Sequence, residues 1–388
     1  MNFVEYKYKD IGKIRSGKRL KKGYIVSDKK SNNRYIRVRD INNGIIDVNN
    51  VQYISDEAAS YITRYKVSKN DIIISVVGTV GSVASIPNEL DGAFLTENCN
   101  NLLVDEKICL KEYLKYFLLS KDGQAEIISH IVGTTQPKLP IYGIEAFNIK
   151  VPEKECQNKI ITILNTINNK ILLNTQINNN LYKTFRSIYK NTFLNKTTNT
   201  IKFSDFNEIG NLVMGQSPKG SSYNEKKIGL PLINGAADYK DGMLNPNKYT
   251  SEPTRVCNAK DLVFCIRATI GQLTIADQEY CLGRGVACIS NINELYYEYV
   301  FNIIEESIDK LKAVATGSVI LGLSKDDINN LEVYKPTLEE IEKFHKLEQP
   351  ILNRIIEIKK QNKTLEQIRD TLLPKLMNGE IDLGKIEI

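Results

Sequence analysis

Gly133-Thr-Thr-Gln-Pro-Lys-Leu-Pro-Ile-Tyr-Gly-Ile-Glu-Ala-Phe-Asn-Ile-Lys-Val-Pro152 has a counterpart 184 positions later, running from Gly317-Ser318 to Pro336. Leu139, Ile144, Phe147 and Ile149 recur there as Leu323, Ile328, Leu331 and Val333. The offset then continues without a gap through a helical pattern: Ile160 with Phe344, Ile167 with Ile351, Asn178 with Asn362 and Ile188 with Leu372. Upstream the match persists but the offset drifts. Asp71-Ile-Ile-Ile with Thr79-Val-Gly81 answers Asp261-Leu-Val-Phe with Thr269-Ile-Gly271 at 190, and Asp10-Ile-Gly12 with Gly17 and Asp40 answers Glu208-Ile-Gly210 with Gly215 and Asp238 at 198. Loops accept insertions at small entropic cost. A residue inserted into a packed helical seam instead turns every later side chain off it. Each half is therefore an insertion-tolerant domain followed by an insertion-intolerant helix, and a repeat of this length is a duplicated domain, not a solenoid.

The 388 residues suffice for two domains with their own cores. We expect domains at 1–152 and 197–336 and helical regions at 153–196 and 337–388. Short β-branched runs such as Tyr35 to Val38 and Ile72 to Val77 alternate with turns such as Asn42-Asn-Gly44. A helical stretch follows near Leu110 to His130, and the second half repeats this order with strands at Leu262 to Ile266 and a helix near Leu295 to Leu311. The fold class is α+β.

From about Glu153 to Leu194 there is no Gly or Pro. Heptad positions a hold Ile160, Ile167, Asn174, Leu181 and Ile188, and positions d hold Leu164, Ile171, Asn178 and Phe185. Two Asn in an apolar seam lower stability but fix register. The second helix carries Phe344, Ile351, Ile358, Leu365 and Leu372 at a. Pro350 lacks an amide donor and predicts a break, with the longer segment running from Pro350 to about Met377 and Gly379 ending it. Amphipathic helices of this length pair most simply with each other as an antiparallel coiled coil with an internal pseudo-twofold; the alternative is two helices each packed on its own domain.

The net charge of +6 conceals a local excess: Lys13 to Arg39 contains eleven Lys and Arg against one acid, Asp28. Such a segment suits a polyanion or a solvated strip. Seven cysteines without a CxxC pair, several within apolar runs, read as free thiols in a reducing cytoplasm, and two histidines make a zinc site improbable. The first residues, Met1-Asn-Phe-Val-Glu-Tyr-Lys, lack the apolar core of a signal peptide, and no membrane span is expected. Gly12-Lys-Ile-Arg-Ser-Gly17-Lys-Arg19 approaches a phosphate-binding loop but lacks the final Ser or Thr, and its repeat at Gly210 to Gly215 lacks the Lys as well. The glycines therefore read as turn formers. No dinucleotide loop, Pro-Pro-aromatic element or Ser/His/Asp elbow occurs, so the expectation is a non-catalytic chain without a metal or cofactor that binds something twice.

In this doubled order the chain resembles the specificity subunits of type I restriction-modification enzymes. The resemblance covers essentially the whole chain and is carried by Gly12 to Gly17 and Gly210 to Pro218, Asp71 to Gly81 and Asp261 to Gly271, the two Gly-to-Pro segments, and the closing Leu372-Leu-Pro-Lys-Leu-Met-Asn-Gly379. The helix entrance survives only in parts, as Cys156-Gln157 and Glu340-Ile341. The resemblance implies two target-recognition domains, each reading half of a split double-stranded DNA target. It also implies two methyltransferase subunits that carry S-adenosylmethionine and a restriction (motor-nuclease) subunit. Under it, Lys18, Arg19, Lys21 and Lys22 suit phosphate contacts. Base reading falls to Arg37, Arg39, Thr79, Thr135 and Gln136 in the first domain and to Gln216, Asn234, Arg267, Thr269 and Arg284 in the second. The rivals are the recognition portion of a DNA methyltransferase and a coiled-coil scaffold that binds no DNA.

Overall fold

The computed structural model describes residues 2–42, 44–196, 198–315 and 322–383. Met1, Asn43, Thr197, residues 316–321, among them Gly317 and Ser318 of the repeat, and residues 384–388 lie outside the described residues. The chain divides into two compact units, Met1–Leu172 with Lys363–Ile388, and Leu173–Asn362.

The first unit runs β1 (Phe3–Lys7), α1 (Tyr8–Ile11), β2 (Gly12–Ser16), β3 (Arg34–Ile36), β4 (Ile41–Asn42), β5 (Ile45–Ile46), β6 (Gln52–Tyr53), α2 (Asp56–Ser60), β7 (Ile72–Ser75), β8 (Val83–Ser85), β9 (Phe94–Leu95), β10 (Cys99–Val104), α3 (Lys111–Leu119), α4 (Lys121–Ser129), α5 (Ile141–Glu145) and β11 (Asn148–Pro152), then enters the long helix α6 (Lys154–Tyr189). An antiparallel sheet in the order β2-β10-β7-β8 is its centre, flanked by β6-β3-β9 and by the pair β1-β11. Strand β7 has no polar face because both its faces are covered: Ile72 and Ile74 join Tyr113, Phe117, Ile160 and Leu164, while Ile73 joins Ile36, Ile41, Leu95 and Cys99.

The second unit repeats the plan with β12 (Thr200–Lys202), β13 (Asn211–Met214), β14 (Tyr223–Asn224), β15 (Leu230–Ile233), β16 (Tyr239–Lys240), β17 (Met243–Leu244), β18 (Tyr249–Thr250), β19 (Val256–Cys257), β20 (Leu262–Cys265), β21 (Leu273–Ile275), β22 (Tyr280–Leu282), β23 (Val286–Ser290), α7 (Tyr297–Val314), α8 (Lys325–Asn329), β24 (Glu332–Tyr334) and α9 (Leu338–Met377), of which the residues from Lys363 on belong to the first unit, as those of α6 from Leu173 on belong to the second. Its sheet order β13-β23-β20-β21 matches the first strand for strand. A parallel strand pairing also recurs between the units, Ile36 beside Leu95 and Ile233 beside Leu282. Strand β20 is again two-sided, with Leu262 and Phe264 in one core and Val263 and Cys265 in the other.

The heptad reading of α6 holds along its length. Ile160, Leu164, Asn174 and Phe185 are buried, and Ile167, Ile171, Asn178, Leu181 and Ile188 are half-buried. Within the first unit Lys159 Nζ donates to the Leu383 carbonyl (3.1 Å) and Arg369 Nη1 to Asn168 Oδ1 (3.4 Å). Within the second, Asn174 Nδ2 donates to Gln361 Oε1 (2.7 Å) and Asn362 Oδ1 (2.8 Å), and Asn178 Nδ2 to the Ile355 carbonyl (3.3 Å). In each unit numbers rise along one helix as they fall along the other, so the paired segments are antiparallel. The seam asparagines meet polar partners at one register, the specificity device expected of them.

Three expectations need correction. Pro350 does not break α9, which runs uninterrupted from Leu338 to Met377. Phe344 and Glu348 before it and Leu352 and Ile355 after it are all buried, so packing holds both flanking turns. The missing amide removes one helical bond, the one to the carbonyl of Lys346, an exposed residue. Leu110 to His130 is two helices, because Ser120 caps the second by accepting from the Gly123 amide (3.2 Å), and a Cβ on Gly123 would lie 2.0 Å from the Phe117 carbonyl. The helical stretch expected to run to Leu194 is α-helical only to Tyr189, where α6 gives way to a π-helix, Lys190–Leu194, that buries Phe193. Gly379 does end α9, at φ 73°.

Candidate nucleic-acid interface

At the end of each central sheet five backbone bonds tie the loops together, and the five recur in both units. In the first, Gly17 N–H donates to Cys99 O (2.9 Å), Lys18 to Leu95 O (2.9 Å), Thr96 to Ile36 O (3.1 Å), Val76 to Asn98 O (2.8 Å) and Leu139 to Val76 O (2.9 Å). In the second, Gly215 donates to Val286 O (3.0 Å), Gln216 to Leu282 O (2.8 Å), Gly283 to Ile233 O (2.7 Å), Ile266 to Gly285 O (2.9 Å) and Leu323 to Ile266 O (2.9 Å). These bonds define equivalent positions more firmly than sequence does. The glycines are indispensable here for a steric reason: a Cβ on Gly17 would fall 1.9 Å from the Thr96 carbonyl, and one on Gly215 2.1 Å from that of Gly283. They serve loop closure, as their reading as turn formers required.

On this frame Lys18 corresponds to Gln216, Arg37 to Asn234, Val77 to Arg267 and Thr79 to Thr269. Asp40 and Asp238 anchor the same corner: Asp40 Oδ2 accepts from Arg37 N (2.8 Å), and Asp238 Oδ2 accepts from Asn234 N (2.6 Å) and Gly235 N (3.2 Å). The turn bearing Thr79 closes by Gly81 N to Ser75 O (2.9 Å), and that bearing Thr269 by Gly271 N to Cys265 O (3.0 Å). Gly78 in the first turn has φ 84°, and Ala268 in the second takes the same left-handed region at φ 59°.

Thr79, Thr135 and Gln136 are exposed and brought together, since Lys138 bridges both Val132 and Val77 and so lays the 133–137 loop beside the Thr79 turn. Gln216, Arg267, Thr269 and Arg284 are exposed at the corresponding end of the second sheet. Asn234 is half-buried there, its Oδ1 2.2 Å from where a Cβ on Gly283 would stand. Arg37 is placed otherwise. Its guanidinium lies on Asp40 (Nη2 to Oδ1 2.8 Å, Nε to Oδ2 3.1 Å), reaches the Asn50 carbonyl (3.2 Å) and bonds Gln52, so its donors are engaged within the domain. Arg39 and Lys22 are exposed, Lys21 Nζ stands 3.5 Å over the Tyr61 ring, and Lys18 Nζ lies 5.8 Å from the centroid of Tyr65. Arg19 Nε pairs with Glu97 Oε1 at 3.1 Å.

Glu97 is the position sequence reasoning passed over. The signal was present: Cys99 to Val104 aligns with Val286 to Ser290 at an offset of 187, which makes Glu97 the counterpart of Arg284. Nearby thiols offer no nucleophile. Burial pushes Cys99 up and Cys265 up to about 11, so both are protonated at neutral pH.

Each half is thus a sheet-and-helix unit that presents polar side chains from one sheet end and is followed by a long helix. The sequence profile of the type I restriction modification DNA specificity domain matches residues 1–183 and again 197–370, and the chain belongs to this family. It is 28% identical over 370 residues to the protein assigned as the MjaX specificity subunit of a type I restriction enzyme of Methanocaldococcus jannaschii, covering 89% of this chain and 86% of that one. To the HindI specificity subunit of Haemophilus influenzae it is 20% identical over 444 residues, 90% and 95% of the two chains. The crystal structure of the S subunit of a type I restriction-modification system from M. genitalium shares the fold, with a TM-score of 0.61 at 17% identity over 97% of this chain and 96% of that one.

Proposed function

We propose that this chain is the DNA-specificity subunit of a type I restriction-modification complex, that each domain reads one half of a bipartite duplex target, and that the chemistry resides in partner subunits. One observation carries the reading: a single backbone frame occurs twice and presents different side chains at equivalent positions, exposed Lys18 against exposed Gln216 and half-buried Val77 against exposed Arg267. Bonds that position the loops are retained, while groups able to read base edges change. Two different half-sites are the natural ligand of such a pair.

In this reading the basic segment Lys13 to Arg39 supplies phosphate contacts, and the chain binds no cofactor of its own. Two methyltransferase subunits would bring S-adenosylmethionine, and a motor-nuclease subunit would cleave unmodified DNA in the cytoplasm. Among the described residues no helix is long and apolar enough to cross a membrane.

Selection from a randomised duplex pool should enrich two short blocks separated by a constant run of unread positions. Affinity for the enriched duplex should fall steeply with salt, as counterion release requires. With S-adenosylmethionine the chain alone should transfer no methyl group until a methyltransferase subunit is added. A pool that enriches nothing, with binding indifferent to salt, would leave a scaffold; methylation by the chain alone would make it an enzyme.

A further inference from the structure

Between β9 and β10, and again between β22 and β23, three residues bridge the sheet end: Thr96-Glu97-Asn98 and Gly283-Arg284-Gly285. Both ends of each bridge are fixed by the same bonds, Thr96 N–H to Ile36 O and Val76 N–H to Asn98 O in one, Gly283 N–H to Ile233 O and Ile266 N–H to Gly285 O in the other. The middle residue contributes nothing to this closure through its side chain. Yet it inverts in charge, Glu in one domain and Arg in the other, on the same backbone.

Stability does not account for the inversion. Arg284 is exposed, and its backbone amide meets Ser217 Oγ at 3.3 Å. Glu97 pairs with Arg19, whose side chain is 84% exposed, and such a pair contributes at most about 1 kcal/mol. A carboxylate beside the basic segment would in fact repel a phosphate backbone. It suits a nucleic-acid surface only if it meets a donor there. Thr96 Oγ1 donates to Glu97 Oε2 (3.0 Å) and Arg19 Nε to Oε1 (3.1 Å), which orients the carboxylate while leaving part of its roughly four-site acceptor capacity open.

We propose that Glu97 and Arg284 are specificity-determining residues, one per domain. Glu97 accepts from the exocyclic amine of cytosine or adenine, and Arg284 donates in bidentate fashion to guanine O6 and N7. The assignment rests on the DNA-reading function proposed above. In it, Arg19 is a positioning residue that holds the Glu97 carboxylate.

The test is duplex-pool selection with the full chain as wild type, Glu97→Gln and Arg284→Gln, with melting temperatures measured alongside to establish that the variants fold. Glu97→Gln should relax one base pair in a single half of the selected sequence, with discrimination there falling roughly tenfold or more, and leave the other half intact. Arg284→Gln should do the same in the opposite half. The proposal is overturned if either variant retains every base preference, or if affinity drops by the same factor for all sequences, as loss of a phosphate contact would produce. A wild-type chain that enriches no bipartite sequence would instead overturn the DNA-reading function itself, and this assignment with it.

Discussion

Asp71 and Asp261 stand at the same corner of the two domains, each ahead of the central buried strand, and their surroundings differ. Burial pushes both carboxyls up. At Asp71 it is outweighed by the Ser68 amide, Lys111 (2.9 Å) and Asn101 (2.7 Å), which hold the group below its ordinary value; at Asp261 only the Asn258 amide (2.8 Å) answers, and the group stays raised. The same contrast recurs under the helices. Leu164 of α6 lies in the same apolar core as Tyr116, whereas Glu348, its counterpart in α9, is buried with Asn302 and Glu298, the latter bonded to half-buried His345. Duplication has kept the backbone bonds that build the scaffold and released the side chains around them. What is identical between the halves is therefore architecture, and what differs is the place to look for function or for tolerated cost.

The largest effect should come from the aromatic cluster that sets the second unit apart. Phe193 stacks edge-on against Tyr299 (ring centroids 4.9 Å apart) and Phe344 (5.0 Å), where the first unit has Met377 at the equivalent helix position. Phe193→Ala should cost about 3–5 kcal/mol in thermal or denaturant unfolding, and Met377→Ala somewhat less, because a flexible thioether leaves a site that collapses more readily. Equal losses would mean that the aromatic packing adds nothing particular.

A smaller effect of opposite sign is expected at Glu348, where burial raises the carboxyl to about 8. A folded-state value above the unfolded one means that its contribution is fully present below about pH 4.5 and is lost progressively as pH rises to about 8. Glu348→Gln should therefore leave stability unchanged in acid and raise it increasingly toward pH 8, by at most about 4 kcal/mol, read as melting temperature against pH. Glu298 is raised as well and faces His345 at 2.7 Å, so some pH dependence will remain in the variant. A stability difference constant across pH would show that Glu348 is already ionised in the fold.

Much of the scaffold was legible in the sequence because packing is intolerant of insertion. Ile160, Leu164 and Phe185 kept heptad register. The strand pair at Cys99 and Val286 was harder to see. Asn100 and Asn101 are buried in β10 where β23 has Ala287 and Cys288, and only the bond from Asn101 to Asp71 explains a polar run inside a core strand. Pro350 misled because a local propensity yields to tertiary packing on both sides. For the interface, the sequence offered candidates by residue type. It could not tell that Arg37 lies on Asp40, nor that Glu97 shares the place of Arg284, since both depend on which loop ends the sheet brings together.

Independent reading by the two domains is the central claim, and exchange of residues 201–335 for the matching segment of a relative tests it most directly. Selection from the duplex pool, compared between parent and chimera, should show one half of the bound sequence replaced and the other retained. A chimera in which both halves change, or neither, would contradict the account.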